Sequence, residues 1–344
     1  MKKRRIFNML LFLVVGVLIF ISIYRNLEFS EIRYALASLK YEWIILSGIL
    51  GLTSHYIRAL RWNLLIEPLS HKPGITNTYL AVLVLYLFNI LIPRGGEFVR
   101  CTVINRYEKI SFTRLLGTVV SERFSDLITF FLIVVVLIGV DISYFVQLLE
   151  NSPRLAGAVE SIQNVAPYAL VGLVVLAGIL FLLFRRGNKG DHEPNLVERL
   201  FIQFRDGMRT IMQIRGYRKK GLFVLYTILI ISLWLLMLYV VFFAYAPTSG
   251  LTLQAAVITF TISSFAFILP IQAGFGAWHF IVIQCLLLFG VGMEQASVFA
   301  LVAHTFTNLV FLMAGTIAFV LLPVVNNRRA GDLKFRDIAP VRKD

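Results

Sequence analysis

The sequence is poor in charged residues and in cysteine, and both shortages narrow the classes of protein to which it can belong. Charged side chains make up 15% of the 344 residues, whereas about a quarter is usual for a soluble domain. The two cysteines, Cys101 and Cys285, provide neither a disulfide framework nor a zinc site. The H-E-x-x-H, G-x-S-x-G and P-loop signatures are also missing. We therefore expect no soluble domain, no cofactor and no metal site.

Apolar residues make up 58% of the chain, and the long runs that they form set the predicted architecture. About 20 consecutive apolar residues are needed to cross the hydrocarbon core of a bilayer. The fold class predicted from these runs is an all-α integral membrane protein with about six full spans. The six runs are Ile6–Tyr24, Trp43–Ile66, Phe112–Val140, Val165–Phe184, Leu222–Tyr245 and Ala296–Leu322. Between the first two runs, Phe29–Leu39 is expected to form a short interfacial helix.

Two further apolar runs are interrupted by proline and glycine. Ile75–Ile92 leads into Pro93–Gly96, the first break, and Leu253–Leu269 leads into Pro270–Gly276, the second break. The breaks precede the third and the sixth span, so they occupy corresponding positions in two halves of opposite orientation. This arrangement predicts two re-entrant helical hairpins in an inverted repeat, which is typical of transporter substrate sites. The alternative is two full spans with simple kinks.

We expect a single polytopic membrane domain over residues 1–325, and the basic residues predict its orientation. The halves cover about 1–140 and about 165–325, and ten basic residues fall in the loop at 185–220. Four precede the first run and six lie in the tail at 326–344. We therefore predict a multi-pass protein of the cell inner membrane. The positive-inside rule places both termini and the loop in the cytoplasm. The predicted outer segments carry only Arg25, Arg33, Lys40 and Arg154.

The net charge of +14 is therefore mostly a topology signal. No nucleic-acid partner is expected, because the basic residues flank membrane spans. The first run is expected to be an anchor rather than a cleaved signal, because no small-x-small cleavage site follows it.

Ionisable residues inside or beside the apolar runs are the first set of candidate site residues. Each disfavours insertion by about 2.5–3.5 kcal/mol at a helix centre, so these residues should face the interior and pair. Glu122 and Asp126 are four apart and share a helix face. The set has surplus arginine, which suits a phosphate group, and we favour Arg61, Arg94 and Arg123 as phosphate ligands. The predicted substrate-binding residues are Arg58, Arg61, Arg94, Glu97, Arg100, Glu122, Arg123 and Asp126.

An alternative interpretation of these charges is a set of buried ion pairs that only lock the helix bundle together. The second half of the chain is polar at corresponding places but not charged. A membrane histidine there could instead serve a helix–helix hydrogen bond. The residues predicted to line a second-half cavity are Gln272, Gly274, Gly276, His279, His304 and Asn308.

Three motifs, in this order, resemble one known family over roughly residues 5–325. It is the lysylphosphatidylglycerol synthase transmembrane-region family, the flippase-like domain of MprF-type proteins, which also occurs in stand-alone form. The resemblance implies a bundle with two re-entrant hairpins and lipid translocation between leaflets. The motifs are Arg58-x-x-Arg61-Trp62, Asn89-x-x-x-Pro93-Arg94-Gly95-Gly96-Glu97-x-x-Arg100 and Glu122-Arg123-x-x-Asp126.

The sequence departs from this family pattern at the second break. The family commonly has Pro-x-Pro-Gly-Gly-x-Gly-x-x-Glu there, and His279 stands where the acid would be. Substrate or coupling is therefore expected to differ. The aminoacyltransferase domain of full-length synthases does not follow the membrane region before Asp344. The chain is accordingly not expected to be an enzyme that makes lysylphosphatidylglycerol.

The leading functional hypothesis is a phospholipid flippase or translocase for an anionic or phosphate-bearing lipid. A secondary transporter of a small anionic solute and a membrane-embedded lipid-modifying enzyme remain as alternatives. A flippase needs a lateral opening for acyl chains, whereas a solute carrier should be sealed from lipid. The expected partners are a membrane phospholipid and a lipid-synthesising or envelope-assembly enzyme, with an oligomer as a further option.

Overall fold

The computed structural model describes residues 14, 16–25, 27–69, 71–92, 95–140, 217–267 and 274–338. These residues form helices and turns with no strand among them, so the all-α prediction is confirmed for this part of the chain. Short 3-10 turns occupy Glu67–Leu69, Ala246–Thr248 and Phe265–Phe267. The helices are α1 (16–24), α2 (Phe29–Ser38), α3 (Tyr41–Ile66), α4 (Ile75–Leu91), α5 (Gly96–Glu108), α6 (Phe112–Val140), α7 (Tyr217–Phe242), α8 (Leu253–Ser264), α9 (Ala277–Leu288) and α10 (Met293–Ile338).

Three of the described segments are long and apolar enough to cross a membrane. They are Tyr41–Leu69, Lys219–Phe242 and Met293–Asn327, and each coincides with a predicted span. Helix α6 has the predicted bounds and 29 residues, although charges occupy its first half. The predicted span Val165–Phe184 lies outside the described residues, as do the first part of Ile6–Tyr24 and most of the 185–220 loop. The chain is a multi-pass membrane protein, and the total of six spans stays a prediction.

Both predicted breaks do interrupt helices. Helix α4 ends at Leu91 and α5 begins at Gly96, and the two helices pack against each other. Helices α8 and α9 also pack together across the second break. Each break therefore separates the arms of a helical hairpin. Pro93, Arg94 and residues 268–273 are outside the described part of the chain, and re-entry of the hairpins into the membrane stays a prediction.

The first hairpin is held closed where α5 begins. The backbone N–H of Gly96 donates a hydrogen bond to Asn89 Oδ1 on α4 at 3.0 Å. A Cβ atom at Gly96 would collide with the carbonyl oxygen of Leu85, so the two helices approach too closely for any side chain at this position. This contact explains physically why the first break contains glycine and why Asn89 belongs to the motif.

Helix α3 joins two hydrophobic cores. Near its start, Ile44 belongs to a core with Phe242 of α7 and Phe299 of α10. Near its end, Trp62 belongs to a core with Ile104 of α5 and other residues of α4, α5 and α6. The first of these cores contains the arms of the second break, and the second contains those of the first break. A substitution in α3 can therefore affect both hairpins.

Candidate functional site

Seven of the eight predicted charged residues meet in one place, which we call the charge network. Arg94 lies outside the described residues. The network stands beside the first break because α3, α5 and α6 each present charged side chains to the same interior. Its members are Arg58 and Arg61 of α3, Glu97 and Arg100 of α5, and Glu122, Arg123 and Asp126 of α6.

Glu122 is the fully buried centre of the charge network. Its Oε1 accepts from Arg58 Nε at 2.8 Å and from Arg61 Nη2 at 3.1 Å. Its Oε2 lies 2.8 Å from Arg100 Nη2. One carboxylate is thus shared by three guanidinium groups that come from two different helices. Glu122 therefore ties α3 and α5 to α6.

Asp126 repeats these contacts one helical turn further along α6. Its Oδ2 accepts from Arg58 Nη2 at 2.8 Å and its Oδ1 from Arg61 Nη2 at 2.6 Å. Arg123 Nη1 is 3.5 Å from Asp126 Oδ2. Each α3 arginine is therefore paired with both acids, as the four-residue spacing of the acids predicts.

Arg100 is held in a different way from the α3 arginines. Its Nη2 is 2.7 Å from Glu97 Oε2 and 2.8 Å from Glu122 Oε2, but the angles do not suit a hydrogen bond. Its Nε and Nη1 have no hydrogen-bond partner among the described residues. The guanidinium carbon lies 4.4 Å from the ring centroid of Trp62, a cation–π distance. Charge and ring contact together compensate for the missing hydrogen bonds.

The charge network has one exposed edge. The Arg123 side chain is 45% exposed and that of Asp126 is 27% exposed, whereas those of Arg58, Arg61 and Arg100 are almost fully buried. Arg123 forms a close ion pair with Glu97 on α5, directly beside the first break. The seven described members comprise four arginines and three acids and therefore carry one surplus positive charge.

Neutral partners of the charge network were missed by the sequence analysis. The Tyr86 hydroxyl on α4 accepts from Arg58, and Thr227 on α7 accepts from Arg61 Nη1 at 3.1 Å. Trp234 of α7 lies with its ring centroid 5.5 Å from the Arg58 guanidinium carbon. Thr227 and Trp234 are seven apart, which places them on one helix face. Nothing in the sequence distinguishes them from other neutral residues of an apolar helix.

The predicted second-half residues form a compact group, which we call the histidine cluster. The His279 and His304 rings lie 4.4 Å apart, centroid to centroid. Asn308 Nδ2 donates to the His304 backbone oxygen at 2.8 Å and lies 3.3 Å from His304 Nδ1. Gly274 and Gly276 have φ values of +70° and +80°, which favour glycine. Gln272 lies outside the described residues, so its predicted role is neither supported nor contradicted.

A small cavity lies between α3, α7 and α10, away from the predicted charged residues. Ser47, Met237, Thr307 and Phe311 are among the residues that line it, and none of the eight predicted charges does. Its volume of about 10 Å³ is at the lower limit for a single water molecule. This cavity is too small for a lipid headgroup, and the predicted substrate-binding roles stay predictions.

The helices and the charge network define a multi-pass helical membrane protein with paired charges in its interior. The chain belongs to the family described as the lysylphosphatidylglycerol synthase TM region, whose model matches residues 9–315. The resemblance drawn from the three motifs is thereby confirmed. The family description refers to the membrane region of the synthase.

The chain is also similar to the UPF0104 membrane protein of Methanocaldococcus jannaschii. The two are 28% identical over 149 residues, which are 42% of this chain and 43% of that relative. The relative's name specifies a membrane protein and no enzymatic activity. No solved structure shows a significant match to this chain.

Proposed function

We propose that this protein moves an anionic or phosphate-bearing lipid between the leaflets of the cell inner membrane. The single observation that carries the proposal is the exposed edge of the charge network beside the first break, where Arg123 meets Glu97 and Asp126. The network carries surplus positive charge, and membership of a family named for a lipid synthase supports a lipid as substrate. The acyl chains would remain in the bilayer while the headgroup passes along the edge.

Exposure distinguishes the two predicted phosphate ligands that the structure describes, Arg61 and Arg123. Arg61 is fully buried and already bonded to Glu122, Asp126 and Thr227, so its role is to position the acids. Arg123 is half exposed, and a phosphate can compete with Glu97 for its guanidinium group. Arg94 directly precedes Gly95 in the first break and is the second ligand that we propose. Arginine suits a phosphate-binding role at both positions, because its guanidinium group can bind phosphate through two parallel hydrogen bonds.

The two helical hairpins supply a route for the headgroup. We propose that both are re-entrant and enter from opposite faces, the first from the cytoplasm and the second from outside. Backbone without regular hydrogen bonds is tolerated at membrane depth only where protein or water satisfies it. The breaks would then border a polar path near the bilayer centre. In this proposal the chain transports lipid and does not synthesise it.

The proposal is tested with fluorescent phosphatidylglycerol in proteoliposomes, where dithionite quenches the label in the outer leaflet. Arg123→Gln should slow lipid movement by roughly tenfold or more, because a charge-assisted hydrogen bond contributes about 1.5–3 kcal/mol. Arg106→Gln is the matched control, since Arg106 is an exposed arginine on α5 that contacts Tyr107 and pairs with no acid among the described residues. The control should retain the wild-type rate.

Two results would count against the proposal. Correctly folded Arg123→Gln protein could move lipid as fast as the wild type. The ion pairs of the network would then only stabilise the helix bundle. Alternatively, wild-type protein could leave the labelled lipid in place but take up soluble glycerol phosphate. That second result would favour the transporter of a small anionic solute.

A further inference from the structure

The start of α9, which follows the second break, is capped by a hydrogen bond that depends on the protonation state of a histidine. Gly276 precedes α9, and its backbone N–H donates to Nδ1 of His279, three residues further on, at 3.3 Å. A side chain at the third helical position that accepts from the N-cap N–H is one half of a capping box. Glutamate and glutamine usually provide this acceptor, and both keep it at neutral pH. Histidine provides it only while Nδ1 is unprotonated.

We propose that His279 is a proton-binding site whose occupancy controls the second break. A hydronium ion transfers a proton to the Nδ1 lone pair: one O–H bond breaks, one N–H bond forms, water is left, and the imidazole becomes imidazolium. Nδ1 then donates instead of accepting, and the bond from the Gly276 N–H is lost. No other bond breaks and no electrons are transferred. Protonation therefore uncaps the first turn of α9, and release of the proton restores the cap.

His279 is buried among aromatic side chains that pack closely around its ring. The residue is 1% exposed. The Phe20 ring lies with its centroid 4.5 Å from that of Phe275 and 4.4 Å from that of Tyr24, so the rings around the histidine are in mutual contact. Nε2 of His279 has no hydrogen-bond partner among the described residues. A buried donor or acceptor without a partner is costly, so this nitrogen calls for an explanation beyond packing.

Two titratable groups face His279 from neighbouring helices. His304 of α10 lies 4.4 Å away and Tyr24 of α1 lies 5.8 Å away, measured between ring centroids. Two imidazolium ions at the first distance would repel each other, so the two histidines together bind one proton rather than two. The remaining ring contacts come from Phe20, Phe275 and Trp278, at 5.4, 5.7 and 5.8 Å. An aromatic ring within about 6 Å stabilises a cation that lies over its face, and such a contact would partly offset the burial of an imidazolium here.

Loss of the cap would act on a turn that is constrained on its other side. Gly276 has φ +80°, and a Cβ atom there would collide with the carbonyl oxygen of Gly16 in α1. The turn is therefore held between α1 and the His279 side chain. When the side chain releases the Gly276 N–H, packing against α1 and the hydrogen bond from the Phe280 N–H to the Gly276 carbonyl oxygen still restrain the turn among the described residues. Protonation would thus loosen the second hairpin. We propose that this step is coupled to lipid movement. That coupling rests on the proposed function, whereas the proton site does not.

Two substitutions separate the cap from the proton. His279→Gln retains an acceptor for the Gly276 N–H at every pH, and its amide does not bind a proton in the pH range in which a histidine titrates. His279→Phe retains an aromatic ring but provides no acceptor. His71→Gln is the control for removal of a histidine, because the His71 side chain is 53% exposed and lies far along the chain from the second break.

The first experiment measures the proton site directly in protein reconstituted in lipid nanodiscs. Nitrogen-15 NMR of labelled histidine should show a resonance that changes from neutral imidazole to imidazolium as the pH falls, and it should be missing from His279→Gln. Hydrogen exchange at Gly276, corrected for the intrinsic pH dependence, should rise by about fivefold over the same range, as loss of a typical cap predicts. His279→Gln should stay protected and His279→Phe unprotected throughout. A His279 ring that remains neutral until the protein unfolds, or exchange that ignores its titration, would overturn the proposal.

The second experiment measures fluorescent phosphatidylglycerol movement in proteoliposomes at several pH values. Wild-type protein and His71→Gln should move lipid at a rate that changes several-fold over the range in which His279 titrates. His279→Gln should lose this dependence. Wild-type movement that is independent of pH would overturn the coupling. If His279 titrates and uncaps α9 but no lipid moves at any pH, the proposed function fails while the proton site stands.

Discussion

At the scale of single residues, the Glu122 carboxylate pairs with several buried arginines of the helix bundle at once. It is fully buried and accepts or contacts three guanidinium groups, from Arg58, Arg61 and Arg100. Isolated charges at this depth disfavour insertion, and close pairing offsets that cost. Because both of its oxygens are shared, its loss would leave several buried arginines short of a partner at once.

We therefore expect Glu122→Gln to destabilise the protein by roughly 3–5 kcal/mol, the usual cost of removing one partner from a buried ion pair. Thermal unfolding in detergent, followed by size-exclusion fluorescence, measures the change. Glu42→Gln is the control, because Glu42 is exposed in the first turn of α3. Equal melting temperatures for Glu122→Gln and wild type would show that the surrounding arginines do not need this acid.

The sequence predicts that the charged residues of the network lie together, but it does not predict which neutral residues contact them. Charges in apolar helices must find one another, so the grouping of Arg58, Glu122 and Asp126 follows from the energetics of insertion. Tyr86 and Thr227 carry no such penalty, and their contacts with the arginines depend on helix packing that the sequence does not encode locally. Depth is likewise not encoded locally: Arg61, one of the predicted phosphate ligands, is fully buried, and its role as a ligand stays a prediction.

At the scale of helices, the two breaks differ in what holds the second arm. In the first, the side chain of Asn89 on one arm accepts from the start of the other, at Gly96. In the second, the acceptor is His279 on the same helix that it caps. The first closure joins two helices through a group that does not titrate. The second is local to α9 and depends on a group that can gain a proton.

Replacement of Gly96 by alanine should open the first hairpin. The added Cβ would collide with the backbone carbonyl of Leu85, which cannot rotate away. Overpacking of this kind typically destabilises a protein by about 1–3 kcal/mol. Gly221→Ala on α7 is the matched control, because among the described residues nothing outside its own helical turn lies within 4 Å of the added Cβ, and alanine is favoured over glycine in a helix by about 0.5–1 kcal/mol. Melting temperatures that fall for both variants, or for neither, would contradict this account.

The ends of the helices were predictable to different degrees. The run Phe112–Val140 forms one helix with the same bounds, because apolar residues continue without proline or glycine clusters. Helix α10 extends beyond the predicted run Ala296–Leu322 at both ends and continues through Pro323. Apolar periodicity marks the part of a helix that is in lipid, whereas polar helical turns at its ends carry no such mark. The short helix predicted at Phe29–Leu39 is present as Phe29–Ser38.

At the scale of the whole molecule, the two halves place different chemistry at corresponding positions. The first half has the charge network beside its break, and the second has the histidine cluster beside its own. If the halves are inverted in the membrane, these clusters are reached from opposite sides. The inversion depends on topology, which the distribution of basic residues predicts and which experiment can decide.

Reporter fusions decide the orientation. Alkaline phosphatase should be active when fused after Asn151 and inactive when fused after Lys220, because the basic loop is expected in the cytoplasm. Green fluorescent protein should give the opposite pattern, fluorescing after Lys220 alone. A fusion after Asp344 provides a second point that is expected in the cytoplasm. The same reporter activity at both internal sites would rule out the inverted arrangement.

Three of the four tryptophans of this chain lie against the residues of the two clusters. The Trp62 and Trp234 rings lie 4.4 and 5.5 Å from the Arg100 and Arg58 guanidinium carbons, and the Trp278 ring lies 5.3 Å from that of His304. Indole emission is sensitive to a nearby cation and to its removal. The unlabelled protein thus contains optical sensors at both ends of the proposed path. Single-tryptophan variants would let spectroscopy follow headgroup arrival and proton uptake separately, in real time.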